Sequence, residues 1–247
     1  MDIHSHILPG IDNGSKDWEE TVEMLKVAYS EDIHIIIATP HYGLYNPSFN
    51  IREARDLVAE LNRRMKYLPS VKINIFLGNE LYYVPGIVRD VIEGKAATMA
   101  GSSYVLVEFA ESVQYNTVAS AIQEFTRAGY RPIIAHVERY RNLRDKNLEM
   151  IKELRHLGAY FQVNVSNFTH IERTGLFNKE NRLTFVQALL KADLIDFIAS
   201  DAHNATSRLP VMKSAVNIIR NTISEEQYNK IFYYNMLALA TNEYIGR

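Results

Sequence analysis

Six apolar, strand-like runs in this chain each end on histidine, glutamate or aspartate. They are Asp2-Ile-His-Ser-His6, the run from Ile35 to His41, Phe76 to Glu80, Tyr104 to Glu108, Ile133 to His136, and Phe197 through Asp201 to His203. Five of the eight histidines, two glutamates and one aspartate are delivered this way. One buried histidine is ordinarily a satisfied core residue. Eight ligand-type side chains at six strand ends are not, because each unpaired buried polar or charged group costs several kcal/mol. A polynuclear metal site offsets that cost, and without a cysteine in the sequence it is an oxygen-and-nitrogen site. The residues point to a metallohydrolase.

Between these runs lie amphipathic segments. Residues 17–30 carry Trp18, Val22, Leu25 and Tyr29 at helical spacing, with Ser15 as the expected N-cap. Further helices are expected at 51–65, 114–128, 147–157, 180–191, 210–220 and 224–238, and Gly129 and Gly158 stop two of them. Strands are expected at 33–39, 71–77, 104–109, 130–135, 160–164 and 194–199, besides the first. Such alternation predicts an α/β fold with a parallel sheet. Ligands on six strand ends favour a closed barrel over an open sheet, since only closure aims those ends at one centre. No glycine-rich phosphate loop follows the first strand, which argues against a dinucleotide fold.

Hydrophobic residues make up 47 % of the chain and charged ones 23 %, enough for one large core, so residues 1–247 are expected to form a single domain. The net charge of -2 and the absence of a basic run give no nucleic-acid footprint. No apolar run approaches the about 20 residues of a membrane span, and no targeting segment is visible. A soluble, cytoplasmic chain without membrane insertion is expected.

His4 and His6 lie at i and i+2 on a strand and share one face. Asp201 and His203 repeat the spacing; capping by Asp201 alone would leave His203 unexplained. Glu80 or Glu108 is the expected bridge between two ions, and His41 and His136 complete the set. Arg139, three residues past His136, can meet an anionic substrate with bidentate geometry; a salt bridge to Glu138 or Glu111 is an equal alternative. Arg208 is a second candidate phosphate clamp. His34, His156 and His170 read as structural or surface residues. Gln162, Asn164 and Asn167 are candidates to line the pocket.

The phrases Asp2-Ile-His-Ser-His-Ile-Leu-Pro9, Ala38-Thr-Pro-His41, Leu106-Val-Glu-Phe109, Ala135-His-Val-Glu-Arg139 and Ala199-Ser-Asp-Ala-His-Asn204 together resemble the polymerase-and-histidinol-phosphatase (PHP) superfamily. Within it they are similar to the bacterial manganese-dependent protein-tyrosine phosphatases of capsule and exopolysaccharide clusters, the CpsB/YwqE/Wzb type. The resemblance implies a distorted (βα)7 TIM-like barrel (PHP fold) with two to three metal ions at the C-terminal ends of the strands. It also implies a partner: an autophosphorylating bacterial tyrosine kinase with a Tyr-rich C-terminal tail. By position, His4, His6, Glu80 and Asp201 would hold the first ion, Glu80, Glu108 and His136 the second, and His41 with His203 the third. Asn13 stands where the family usually has a carboxylate, which makes it a weak ligand candidate for the third ion. Manganese is the expected metal, with iron and zinc as alternatives.

Two metals sharing a glutamate would generate hydroxide for in-line attack on phosphorus, without a covalent cysteine intermediate. Arg139, Asp201 and His136 are the candidate catalytic residues, and Arg139 and Arg208 the phosphate-binding pair. Rival readings are a small-molecule phosphatase such as histidinol-phosphatase, a polymerase-associated exonuclease-like module, and a non-catalytic metal-stabilised scaffold. Oligomeric state leaves no signal in the sequence.

Overall fold

The computed structural model describes residues 1–68, 70–145, 147–169 and 179–246. Its strands are β1 (Asp2–Ser5), β2 (Ile35–Ala38), β3 (His41–Tyr42), β4 (Asn74–Leu77), β5 (Glu80–Tyr82), β6 (Tyr104–Glu108), β7 (Arg131–Ile134), β8 (Tyr160–Asn164) and β9 (Phe197–Ala199). Helices α1 (Trp18–Ser30), α2 (Ile51–Met65), α3 (Ile87–Ile92), α4 (Tyr115–Arg127) and α5 (Glu149–His156) alternate with them. The chain continues through α6 (Ser166–Thr169), α7 (Lys179–Lys191), α8 (Lys213–Arg220), α9 (Glu225–Asn229) and α10 (Asn235–Thr241).

All strand pairs are parallel, in the orders β1-β2-β4 and β3-β5-β6-β7-β8-β9. β2 and β3 form one pass of chain broken at Thr39-Pro40, and β4 and β5 form another broken at Gly78-Asn79. Proline removes a ladder donor at the first break. At the second, a Cβ on Gly78 would lie 2.9 Å from both Ile37 Cγ2 and Met99 Sδ. Hydrogen bonds from Gly78 N to Ala38 O (2.8 Å) and Glu80 N to Pro40 O (3.2 Å) bridge the breaks. With each broken pass taken once, seven strands remain.

The edges of this curled sheet meet. His6 N donates to Ala202 O (2.8 Å) and Asp201 N to His4 O (2.9 Å). The buried Asp2 carboxylate adds a seam by accepting from Ser200 N and Ser200 Oγ. The result is the expected distorted (βα)7 barrel.

Side-chain alternation sorts the core into two layers. Tyr104, Leu106, Ile133, Tyr160, Phe197 and Ala199 pack with residues of α10 and with Ile245, which fill one end of the curl. Val105, Val107, Ile134, Phe161, Val163 and Ile198 pack outward against the helices. Glu108 is in phase with Tyr104 and Leu106, so the β6 pleat turns its carboxylate inward. Burial of both layers is the main stabilising term.

Local signals set the helix ends with one correction. Asp17, not Ser15, caps α1, accepting from Glu20 N at 2.9 Å. Ser15 is buried instead, with its hydroxyl against Thr21 Oγ1 (2.7 Å) and donating to Asp17 O (3.0 Å). Asn50 caps α2 through Arg52 N and Glu53 N. The expected C-terminal helix over 224–238 is divided into α9, one π-helical turn at Lys230–Tyr234, and α10.

Candidate metal centre

Glu80 stands at the centre of the strand C-termini, 1 % exposed. One of its carboxylate oxygens faces His4 Nε2 (3.1 Å), His6 Nε2 (3.2 Å) and His41 Nδ1 (3.2 Å), and the other faces His136 Nε2 (2.7 Å). Glu108 approaches His41 at 3.6 Å and His136 at 3.5 Å. Asp201 Oδ1 approaches His4, His6 and His203 at 3.5, 3.7 and 3.6 Å. All eight side chains expected from the sequence thus converge. Glu80 is the central carboxylate among them, touching four imidazoles.

Two strand ends reach the centre at a conformational cost. His136 (φ +31°) and Asp201 (φ +52°) both adopt left-handed backbone, which costs about 1–3 kcal/mol at each non-glycine residue and clusters at functional sites.

Three of the five histidines have a partner within 3.2 Å on the nitrogen that faces away from the cluster. His6 Nδ1 donates to Asp12 Oδ2 (2.8 Å), His4 Nδ1 to Gln162 Oε1 (3.2 Å) and His203 Nδ1 to the carbonyl of Asp201 (3.0 Å). With those protons placed, the Nε2 lone pairs of neutral His4 and His6 would face each other across 3.3 Å. A proton on His6 Nε2 relieves that repulsion in the metal-free chain, and a cation between the two rings would relieve it with both imidazoles neutral. Among the described residues, His41 Nδ1 and Glu108 Oε2 are buried without a hydrogen-bond partner. These donors form three overlapping groups whose ligand atoms lie within 4.8 Å of one another: His4, His6, Glu80 and Asp201; His41, Glu80 and Glu108; and His6, His41 and His203. The donor set therefore fits divalent cations bound by nitrogen and oxygen.

The charges follow from this crowding. Burial disfavours a charged His6, but the Asp12 and Glu80 carboxylates outweigh it and push its pKa up to about 10. Asp12, opposed by burial, is drawn down to about 2 by His6 and two backbone donors. Burial and the Glu80 carboxylate raise Glu108 to about 9, while Glu80 itself is held low by its histidines despite burial. His136 falls to about 4 through burial and the Arg139 charge, and His203 to about 2 through burial and His6.

Arg139 and Arg208 both donate to Asp201 Oδ2, at 2.5 and 2.8 Å. Arg139 pairs with neither Glu138 nor Glu111 in a salt bridge; Glu111 takes Arg141 instead. Both arginines line a cavity of about 330 Å³ together with Asn13, His41, Tyr45, Glu80, Glu108, His136 and Asp201. Asn13 sits at that wall, whereas the neighbouring Asp12 makes the closer contacts, with His6 and with the backbone N–H groups of His41 and Gly14. The sequence suggests residue 13 as a ligand candidate and offers no role for Asp12, although Asp12-Asn13-Gly14 after β1 is a visible turn signal. Gln162 lies beneath the cluster, Asn164 lines a smaller cavity of about 50 Å³ that also has Arg139, Asp201 and Arg208 in its wall, and Asn167 donates to Glu138 and Asn164 O. His34 and His156 are surface residues, and His170 lies outside the described residues.

The fold matches that of a class of metal-dependent phosphatases. The crystal structure reported for YwqE of Bacillus subtilis and CpsB of Streptococcus pneumoniae, described as unique metal-dependent tyrosine phosphatases, superposes with a TM-score of 0.87 at 28 % identity, covering 100 % of this chain and 96 % of that one. Histidinol phosphate phosphatase from Lactococcus lactis shares the fold, with a TM-score of 0.56 at 15 % identity over 90 % of this chain and 93 % of that chain. Residues 1–240 match the family described as capsular polysaccharide synthesis, CpsB/CapC, and the chain belongs to that family. The tyrosine-protein phosphatase CpsB of Streptococcus agalactiae serotype III (strain NEM316) is 30 % identical over 99 % of this chain and 100 % of its own length.

Proposed function

We propose that this chain is a metal-dependent protein-tyrosine phosphatase acting on a bacterial tyrosine kinase that regulates capsular or extracellular polysaccharide synthesis. In this reading residues 1–247 form one domain, and the substrate is the kinase's Tyr-rich C-terminal tail. The observation that carries it is the shared cavity: one wall is the His/Glu/Asp cluster and the other is the Arg139–Arg208 pair.

His4, His6, Glu80 and Asp201 would hold the first ion. Glu80, Glu108 and His136 would hold the second, joined by His41, which faces both glutamates. His6, His41 and His203 would hold a third, with manganese as the expected metal. Bound there, the ions would supply Lewis acidity that activates water and withdraws charge from a phosphoryl group.

The chain's own residues supply the rest. Arg139 and Arg208 point guanidinium groups into the cavity, and their free N–H groups can bind phosphoryl oxygens bidentately. Asp201 fixes their position from below. Tyr45, 56 % exposed and packed edge-on against Tyr82 at 4.6 Å, offers an aromatic rim suited to a phenyl ring. Phenolate, with a pKa near about 10, leaves without a strong general acid. No cysteine exists to act as nucleophile. Among the described residues no helix is long and apolar enough to cross a membrane.

The test is phosphate release from a phosphotyrosine peptide and from histidinol phosphate in parallel, with added Mn²⁺ and with chelator. Metal-dependent release from the peptide alone is expected. Release only from the small ester would transfer the chain to metabolic substrates. Asp201→Ala and His136→Ala should each abolish turnover with an unchanged circular dichroism spectrum; substantial activity in both would sink the proposed site.

A further inference from the structure

Beneath the cluster, two buried amides link elements that the metal reading treats separately. Gln162 is fully buried on β8, and Asn164 lies two residues on, 4 % exposed. The backbone N–H of His136 donates to Gln162 Oε1 at 2.7 Å. A backbone amide is a donor only, so it fixes which end of the Gln162 amide is oxygen. The same oxygen faces His4 Nδ1 at 3.2 Å, so the His4 proton must sit on Nδ1. That leaves His4 Nε2 to face the cluster.

The polarity then propagates. Gln162 Nε2 donates to Asn164 Oδ1 (2.8 Å), which turns the Asn164 amide so that Nδ2 donates to Asp201 Oδ2 (2.7 Å). Asn164 is held in place by its own N–H, which donates to the buried Glu138 (3.1 Å). With Arg139 and Arg208 on the same oxygen, Asp201 Oδ2 accepts three donors. Oδ1, the oxygen facing His4, His6 and His203, is the one left for a cation.

We infer that Gln162 and Asn164 are positioning residues: a one-way amide relay, started by the His136 backbone, that sets the His4 tautomer and makes Asp201 a single-oxygen ligand while its other oxygen anchors both arginines. The inference rests on the metal-site reading above and goes past it by assigning work to two residues outside the wall of the about 330 Å³ cavity and outside the ligand set. Outer partners of this kind tune ligand geometry and basicity.

Gln162→Glu keeps an acceptor for His4 and His136 but cannot donate to Asn164 Oδ1. Asn164 must then flip and turn its oxygen on Asp201. Gln162→Met keeps the volume and deletes the whole relay. Calorimetric titration of the metal-stripped full chain with Mn²⁺ should show the tightest site weakened by about 10- to 100-fold in each variant, with the number of sites preserved. Wild-type affinity in both variants, even with a lowered melting temperature, would show a purely structural role and overturn the relay. If Gln162→Met does not fold, Gln162→Glu decides alone. Because the readout is metal affinity, a wild-type chain that binds Mn²⁺ yet releases no phosphate would remove the functional reading and leave the relay standing.

Discussion

The His6 imidazole is held between two carboxylates, Asp12 on Nδ1 and Glu80 on Nε2, and so carries a proton in the metal-free chain at neutral pH, with its pKa pushed up to about 10. Glu108, raised to about 9 by burial and by Glu80, is protonated there too. His41, His136 and His203 are shifted the other way and stay neutral, so they need lose no proton to coordinate. Ligation at His6 Nε2 and Glu108 must expel the first two protons. Metal affinity therefore increases as pH rises towards those values, by up to about tenfold per pH unit for each proton released. Calorimetric Mn²⁺ titrations at pH 6, 7 and 8 in buffers of different ionisation enthalpy should show net proton release and tightening with pH. A pH-independent constant would contradict this charge assignment.

The loop between β1 and α1 decides whether His6 keeps its partner. Ser15 N donates to His6 O at 2.9 Å, which brings the loop backbone directly over the histidine. A Cβ on Gly14 would lie 2.1 Å from that carbonyl oxygen, so only glycine permits the approach. Gly14→Ala is expected to push the loop outward, carry Asp12 off His6, and destabilise the fold by about 1–3 kcal/mol. Thermal melting and Mn²⁺ affinity should both fall; a variant that melts and binds like wild type would show that the loop accommodates the methyl group elsewhere. The same loop shows why Asp12 was hard to read. Strand-end residues such as Glu80 and Glu108 announce themselves by ending an apolar run, whereas Asp12 sits in a segment without periodicity. Gln162 and Asn164 showed a same-face spacing on β8, yet nothing local told a pocket wall from a support beneath it.

For the whole molecule, the centre draws on both ends of the chain: His4 and His6 near the start, Asp201 and His203 after position 200. Ions bound there would tie β1 to β9 across the seam that, among the described residues, a few hydrogen bonds close. Saturation with Mn²⁺ at 100 times its dissociation constant should stabilise the fold by about 2.7 kcal/mol per independent site. Scanning calorimetry should record a higher melting temperature with Mn²⁺ and a lower one with chelator, and equal values would deny the ions a role in closure. The sequence by itself determined the α/β alternation, the inward phase of the strands and the identity of the eight cluster residues, because strand periodicity and residue chemistry are local properties. Only the tertiary structure decided that Glu80 is the central carboxylate, that Arg139 and Arg208 share Asp201, and that Asp12, Gln162 and Asn164 orient the rest. Those roles depend on distances between residues up to 158 positions apart, which no local pattern encodes and which barrel closure alone sets.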